Sequence, residues 1–391
     1  MAFSSMLFLF VFLPVLLVLY FAVPKNWFWL KNAILIIFSL IFYASNEPKL
    51  IVVMLGSVLV NYFFALGIDK TRLKKVVFIV SLVFNLGMLV YYKYTNFIWD
   101  NIQAVTGTSR VIEQVVMPAG ISFFTFQSMS YIIDVYMGKI KAEKNPFNII
   151  LYIFFFPQLI QGPIIRYGDI RDDIEYRQVN TSFVAEGIST FIIGLGKKIL
   201  ISNQLSVIAD TAFAEQNINF AFAWLGIIAY TLQLYFDFSG YTDMAIGLGK
   251  IFGFNIPQNF NYPYVAQSIT DFWRRWHITL STWFRDYIYI PLGGNRCSKL
   301  KHFRNIMAVW LATGIWHGAS WNFVVWGVYY GVILILEKEL FSKVLNKVPR
   351  LFRHIYTIFI VLIGFVFFRA TTLTHALEYI GAMFTFKPIE I

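Results

Sequence analysis

Apolar runs of membrane-crossing length recur along this chain, and no other feature limits its fold so tightly. A bilayer core about 30 Å thick needs roughly 20 mostly apolar residues per helical span. Such runs, some of them short, lie near residues 5–22, 30–43, 50–67, 76–92, 113–137, 183–201, 220–236, 305–316, 320–336 and 353–368. Of 391 residues, 58% are hydrophobic and only 14% charged, which excludes a soluble globular domain. In lipid every backbone polar group must be paired internally. The sequence therefore predicts an all-α polytopic membrane protein of about ten to eleven transmembrane or re-entrant helices. No internal repeat, linker or composition shift divides it, so residues 1–391 read as a single membrane domain.

The opening MAFSSMLFLFVFLPVLLVLYF lacks a basic leader and a small-residue cleavage site, so it reads as a retained first helix. Cys297 is the only cysteine, which excludes an intrachain disulfide and any cysteine-based metal site. A formal net charge of +11 would suggest nucleic acid if the basic residues shared one soluble face. They sit instead in short loops, the pattern of cytoplasmic connections. Loops 69–75, 138–144, 295–304 and 337–353 are thus expected inside, 44–49 and 94–113 outside, and the N-terminus outside.

Three segments break the hydrophobic pattern. In FFFPQLIQGPIIRYGDI (154–170), Pro157, Gly162 and Pro163 interrupt a helix, and Gln158 and Gln161 bring amides to membrane depth. A re-entrant hairpin lining a cavity fits, and so does a proline kink between two helices. In LQLYFDFSGYTDMAIGLGKIFGF (232–254), Asp237 and Asp243 are ionisable groups in apolar surroundings, which makes them functional candidates. Capping or pairing with a neighbouring arginine would account for them equally. The GLGK there is not a phosphate loop, because Met244 and Ile251 stand where Gly and Ser or Thr are needed.

The third segment is SITDFWRRWHITLSTWFRDYIYIPLGGNR (268–296). Ser268 or Thr270 can cap a helix, and Pro291, Gly293 and Gly294 end it. Trp273, Trp276, His277, Leu280 and Phe284 then share one face, opposite Asp271, Arg274, Arg275, Thr282 and Arg285. This pattern predicts an amphipathic helix near 271–290 lying at the cytoplasmic interface, its arginines toward headgroups or a polyanionic ligand. His277 points inward with the tryptophans. The other interior candidate is His317, in TGIWHGASWNF, flanked by Gly314 and Gly318 with Trp316, Trp321, Asn322 and Trp326 within reach. His302 and His354 read as loop residues and His375 as a boundary residue. A buried histidine is more often a packed core residue than a catalyst, so residue type alone leaves the chemistry unnamed.

The segments DFWRRWHITLSTWFRDYIYIPLGGNR and, forty residues after His277, WHGASWNFVVWG resemble the membrane-bound O-acyltransferase superfamily. QLIQGPIIRY and YFDFSGYTDMAIG extend the likeness to its bacterial alginate O-acetylation branch, with the motif-bearing core at about 154–336. The resemblance implies helices around a central tunnel in a bacterial cytoplasmic membrane. It implies an acyl transfer, here of acetyl, from a cytosolic thioester such as acetyl-CoA to an acceptor on the far side. It also implies an exported partner of SGNH type that decorates a polysaccharide, with no bound cofactor or metal. By motif, His317 takes the position of the family's membrane histidine and His277 that of its second polar residue. The chain stops soon after HALEYIGAMF, where members of this branch commonly continue with further helices.

Chemistry agrees with that likeness. A neutral imidazole is suited to take a hydroxyl proton near pH 7, which makes His317 the expected base. His277, Asn322, Trp316, Trp273 and Trp276 would orient the acyl group or stabilise the oxyanion. Asp237 and Gln161 are further polar candidates, and Arg274, Arg275 and Arg285 would meet the donor's phosphates; headgroup anchoring would use those arginines too. Two alternatives remain at this stage: D-alanyl transfer to teichoic acid from a carrier-protein thioester, and a transporter or flippase with a midplane site at Asp237 and Asp243. No inverted repeat favours the transporter. A purely structural scaffold would leave the two interior histidines unexplained.

Overall fold

The computed structural model describes residues 1–108, 110–215, 217–345 and 347–386. The expected loops 94–113 and 337–353 each include one position, 109 and 346, outside the described residues. All regular structure among the described residues is helical, as backbone pairing in lipid requires. Four helical runs among them are by themselves long and apolar enough to cross a membrane: Ile51–Lys70, Lys74–Thr106, Phe220–Phe252 and Arg350–Arg369. Phe8–Ala22 and Phe28–Ala44 are shorter apolar helices. Two expected spans have different limits. Pro118 and Gly120, the latter at φ 75°, keep the chain irregular until Ile121. The run expected to end at 201 meets no proline or glycine there and continues through a π-helical turn, Lys197–Ser202, into Asn203–Ala214.

The chain groups into two compact units, one of Met1–Leu195 with Tyr241–Pro257, the other of Gly196–Gly240 with the chain from Gln258 on. Aromatic rings and paired amides hold the first. Phe8, Phe12, Phe42 and Phe156 form a contiguous cluster. Asn61 and Asn85 exchange hydrogen bonds of 3.1 and 2.6 Å between two spans, the kind of polar pairing that joins helices in lipid. The predicted break at 154–170 is present and is more than a kink. Phe156–Leu159 forms a single turn, and the helix resumes only at Tyr167. Protein groups satisfy the interrupted backbone. Gln158 Nε2 donates to the Tyr152 carbonyl (2.6 Å), Tyr152 Oη donates to that of Ile165 (2.8 Å), and Ser39 Oγ accepts from the Phe156 amide (3.1 Å).

In the second unit, Lys299–His317 and Trp321–Leu336 form an antiparallel hairpin whose backbones nearly touch. A Cβ on Gly314 would collide with the Phe323 carbonyl oxygen, and one on Gly327 would lie 2.5 Å from that of Trp310. Small residues permit this approach, and dispersion rewards it.

The amphipathic helix expected over 271–290 is not continuous. Ser268 does cap a helix, accepting from the Asp271 amide at 3.0 Å, but that helix is only Ile269–Arg275. A second begins at Ile278 and ends at Phe284, running into a π-helical turn, Arg285–Tyr289. His277 stands between them in the left-handed region at φ 45°, ψ 57°. The extended segment before the helices supplies the reason. Asn261 donates to the Arg275 carbonyl (3.0 Å) and the Asn259 carbonyl accepts from Ile278 (2.9 Å), so partners outside the helix take the bonds that would have carried it through.

Candidate functional site

His277 and His317 reach one chamber by different devices. The left-handed turn swings His277 out of helical register into a buried position with 3% exposure. Its Nδ1 lies 3.1 Å from Asn259 Oδ1, and the edge of Phe238 packs on it with ring centroids 4.8 Å apart. Because its flanking helices have only seven residues each, neither spans a bilayer. Burial holds the His277 imidazole well below its ordinary pKa, so the ring is neutral at physiological pH.

His317 is the last residue of its helix. Gly318 then turns extended, and Ser320 starts the next helix by accepting from the Asn322 amide at 3.3 Å. A side chain at Gly318 would fall on the Phe323 ring, so only glycine lets that ring fold back over the helix end. The His317 ring is set in aromatic edges: Trp316, Trp326 and Phe368 each at 5.0 Å between centroids. Trp316 also approaches His277, at 6.2 Å.

Both histidines line a cavity of about 600 Å³, together with Trp273, Arg274, Trp276 and Arg285. Ser281, Thr282 and Thr313 add hydroxyls to a wall that is otherwise largely apolar. A second cavity, of about 860 Å³, shares Thr270, Arg274, Tyr289, Val309, Trp310 and Leu334 with the first. Its remaining wall is mostly polar, with Gln267, Asp271, Asn295, His302, Glu337, Lys338 and Arg353 beside Ile306 and Leu345. Both of its carboxylates are engaged. Asp271 binds Arg275 at 2.9 Å, and buried Glu337 caps the Ile269–Arg275 helix by accepting from the Ile269 and Thr270 amides at 2.7 and 2.9 Å.

Six of the sequence-selected residues thus meet at one cavity: His277, His317, Trp273, Trp276, Arg274 and Arg285. Five do not line it. Trp316 packs against the rings of both histidines. Asn322 is buried and donates through Nδ2 to the Ala370 carbonyl (2.6 Å). Arg275 is held by Asp271 and the Asn261 carbonyl. Asp237 pairs with Lys198, a lysine where an arginine was considered, and accepts from Ser202 Oγ at 3.4 Å. Gln161 is half-buried in the first unit.

The peripheral histidines need correction. His302 is not a loop residue: it lies in the first turn of Lys299–His317, is 5% exposed, and has Nε2 3.0 Å from Lys338 Nζ. His354 and His375 lie within helices and are half-buried. Asn259 was missed. An uncharged amide in a proline-containing connection carries no local signal, and only the fold brings it to His277.

The comparisons with known proteins bear on the family. The model of the membrane-bound O-acyltransferase family matches residues 140–375 and includes both histidines. The probable alginate O-acetylase AlgI of Pseudomonas aeruginosa is 42% identical over 99% of this chain and 75% of its own length. A peptidoglycan O-acetyltransferase of Helicobacter pylori is 36% identical over 97% and 79%. A teichoic acid D-alanyltransferase of Bacillus subtilis is 31% identical over 55% of this chain and 57% of its own. Apolar helices, paired interior histidines and these matches lead to one conclusion: the chain is a multi-pass membrane O-acyltransferase and belongs to the membrane-bound O-acyltransferase family.

Proposed function

We propose that this enzyme takes an acetyl group from a cytosolic thioester, acetyl-CoA or a related donor, and delivers it for O-acetylation of an extracytoplasmic polysaccharide or cell-wall glycan, through an exported SGNH-type partner. The observation that carries this reading is the meeting of His277 and His317 at an apolar chamber that shares a wall with a polar one. Relatives aligned over 97% or more of the chain are named for acetylation of alginate or peptidoglycan, which supports acetyl over D-alanyl. A bacterial cytoplasmic membrane, with the N-terminus outside, completes the picture.

The polar cavity is the donor's entrance. Arg274, Lys338 and Arg353 line it against two carboxylates that already have partners, so a phosphate-bearing donor finds a positive mouth. Arg274 lies on the shared wall, where it can hold the donor while the thioester enters the chamber. There the acceptor hydroxyl oxygen attacks the thioester carbonyl carbon. His317 accepts the hydroxyl proton, the C–S bond breaks as the tetrahedral intermediate collapses, and the proton passes to the departing sulfur. Trp273 is a suitable oxyanion donor, because its buried Nε1–H has no hydrogen-bond partner among the described residues. An apolar chamber adds to catalysis by positioning the reactants and limiting water.

Purified protein in proteoliposomes, given acetyl-labelled thioester on the cytoplasmic side and an SGNH-type protein or glycan on the other, should label the acceptor. Label transferred only from a D-alanyl carrier-protein thioester would move the assignment to teichoic acid chemistry. Ion-coupled solute uptake with no acyl transfer would overturn it.

A further inference from the structure

Asn259 is completely buried beside the His277 turn. Its backbone carbonyl accepts from the Ile278 amide at 2.9 Å, and its side-chain Oδ1 accepts from the Thr279 amide at 3.2 Å and the Thr279 hydroxyl at 2.9 Å. These are the first amides of the Ile278–Phe284 helix, whose own N-cap residue, His277, gives no side-chain cap. Asn259 therefore caps that helix from another segment, meeting the usual need of helix-terminal N–H groups.

The cap fixes which way the amide points. A backbone N–H can only donate, so the Asn259 atom facing Thr279 is the oxygen. The same oxygen lies 3.1 Å from His277 Nδ1. An oxygen acceptor pairs with a ring nitrogen only when that nitrogen carries hydrogen. A neutral imidazole has one N–H, so placing it at Nδ1 leaves the lone pair at Nε2.

We propose that Asn259 is a positioning residue: it holds His277 as the Nδ1–H tautomer and leaves Nε2 as a hydrogen-bond acceptor, a role separate from that of His317 as base. In this tautomer His277 cannot donate to an oxyanion through Nε2. Of the two tasks considered for it, orientation or oxyanion stabilisation, the geometry selects orientation. The identity of the group that meets Nε2 rests on the acyl-transfer reading; the tautomer does not.

The test is heteronuclear NMR of the full chain in detergent micelles with 15N-labelled imidazoles, His277 being identified by the signal lost in His277→Gln. Wild type should show a pyrrole-type shift at Nδ1 and a pyridine-type shift at Nε2. An Nε2–H or averaged signal overturns the proposal. Asn259→Leu, similar in size but without an acceptor, should lose the Nδ1–H tautomer, and Asn259→Asp, which keeps the oxygen, should retain it. Retention in the Leu variant, or loss in the Asp variant, overturns the proposal. Should Asn259→Leu fail to fold, wild type and Asn259→Asp still decide. In turnover, Asn259→Leu should lower kcat by about 10²-fold, the scale of a misplaced group at the reacting centre, with KM for the donor little changed. Wild-type kcat in a variant with an altered tautomer would contradict the positioning role. Because the tautomer is read without turnover, an inactive wild type would count against acyl transfer and leave this result to stand by itself.

Discussion

His277 and His317 wall the same cavity although forty positions separate them in the chain. One is placed by a left-handed residue between two short helices, the other by a helix that ends where glycine admits an aromatic ring. Neither ring is free to wander, since both are set against aromatic edges. An acyl-transfer site needs such fixed geometry, because little of its catalytic power comes from the base alone.

The hairpin that delivers His317 should be intolerant of size. Gly314→Ala pushes a methyl group into the Phe323 carbonyl oxygen, and overpacking of this kind costs about 1–3 kcal/mol. A lowered thermal midpoint in detergent is expected. Gly56→Ala, with open space around the added Cβ, should leave the midpoint unchanged or raise it.

Cations of the polar cavity should act on donor binding. Arg274→Gln and Lys338→Gln are expected to raise KM for a phosphate-bearing thioester several-fold with less change in kcat, and the wild-type KM should rise with salt as screening increases. Steady-state kinetics at two ionic strengths checks both statements. A KM indifferent to salt and to both substitutions would remove the phosphates from this cavity.

His302 should not behave as a neutral surface residue. Its burial and its 3.0 Å approach to Lys338 predict that His302→Ala lowers stability by about 1–3 kcal/mol, seen as a shift in thermal midpoint. Burial, with the cation of Lys338 adding to it, holds the His302 pKa below its ordinary value. Lys338→Gln should therefore raise it in an NMR titration. His375→Ala, at a half-buried position away from both histidine-bearing walls, should change midpoint and turnover little.

Orientation can be read from one thiol. Cys297 is the sole cysteine and is partly accessible in the basic stretch before Lys299–His317. A membrane-impermeant maleimide should label it in inverted vesicles and not in intact spheroplasts. The opposite pattern would place the donor entrance on the wrong side.

Much of this was legible because the bilayer leaves few choices. Runs of apolar residues had to become helices, and the prolines and glutamines of 154–170 had to mark a break whose backbone is satisfied by protein. Trp276, His277 and Leu280, placed inward by the spacing of a continuous helix, are all buried, but His277 gets there by a turn and not by helical register. What spacing could not show was the interruption at His277. It depends on hydrogen bonds accepted by Asn259 and donated by Asn261, residues close in sequence to the helix yet carrying no periodic signal. His302 was misjudged for a related reason: a basic stretch reads as a loop, whereas here it forms the first turn of a helix that packs against Lys338.

The most direct test of the account is the turnover of His317→Gln in proteoliposomes. Glutamine keeps polarity and similar size but cannot accept and release a proton at neutral pH. Loss of the base should lower kcat by about 10² to 10⁴, with donor binding and thermal midpoint close to wild type, as expected for an interaction made in the transition state. Near wild-type turnover of His317→Gln would contradict the account, leaving His317 a packing residue in an O-acyltransferase that finds its base elsewhere.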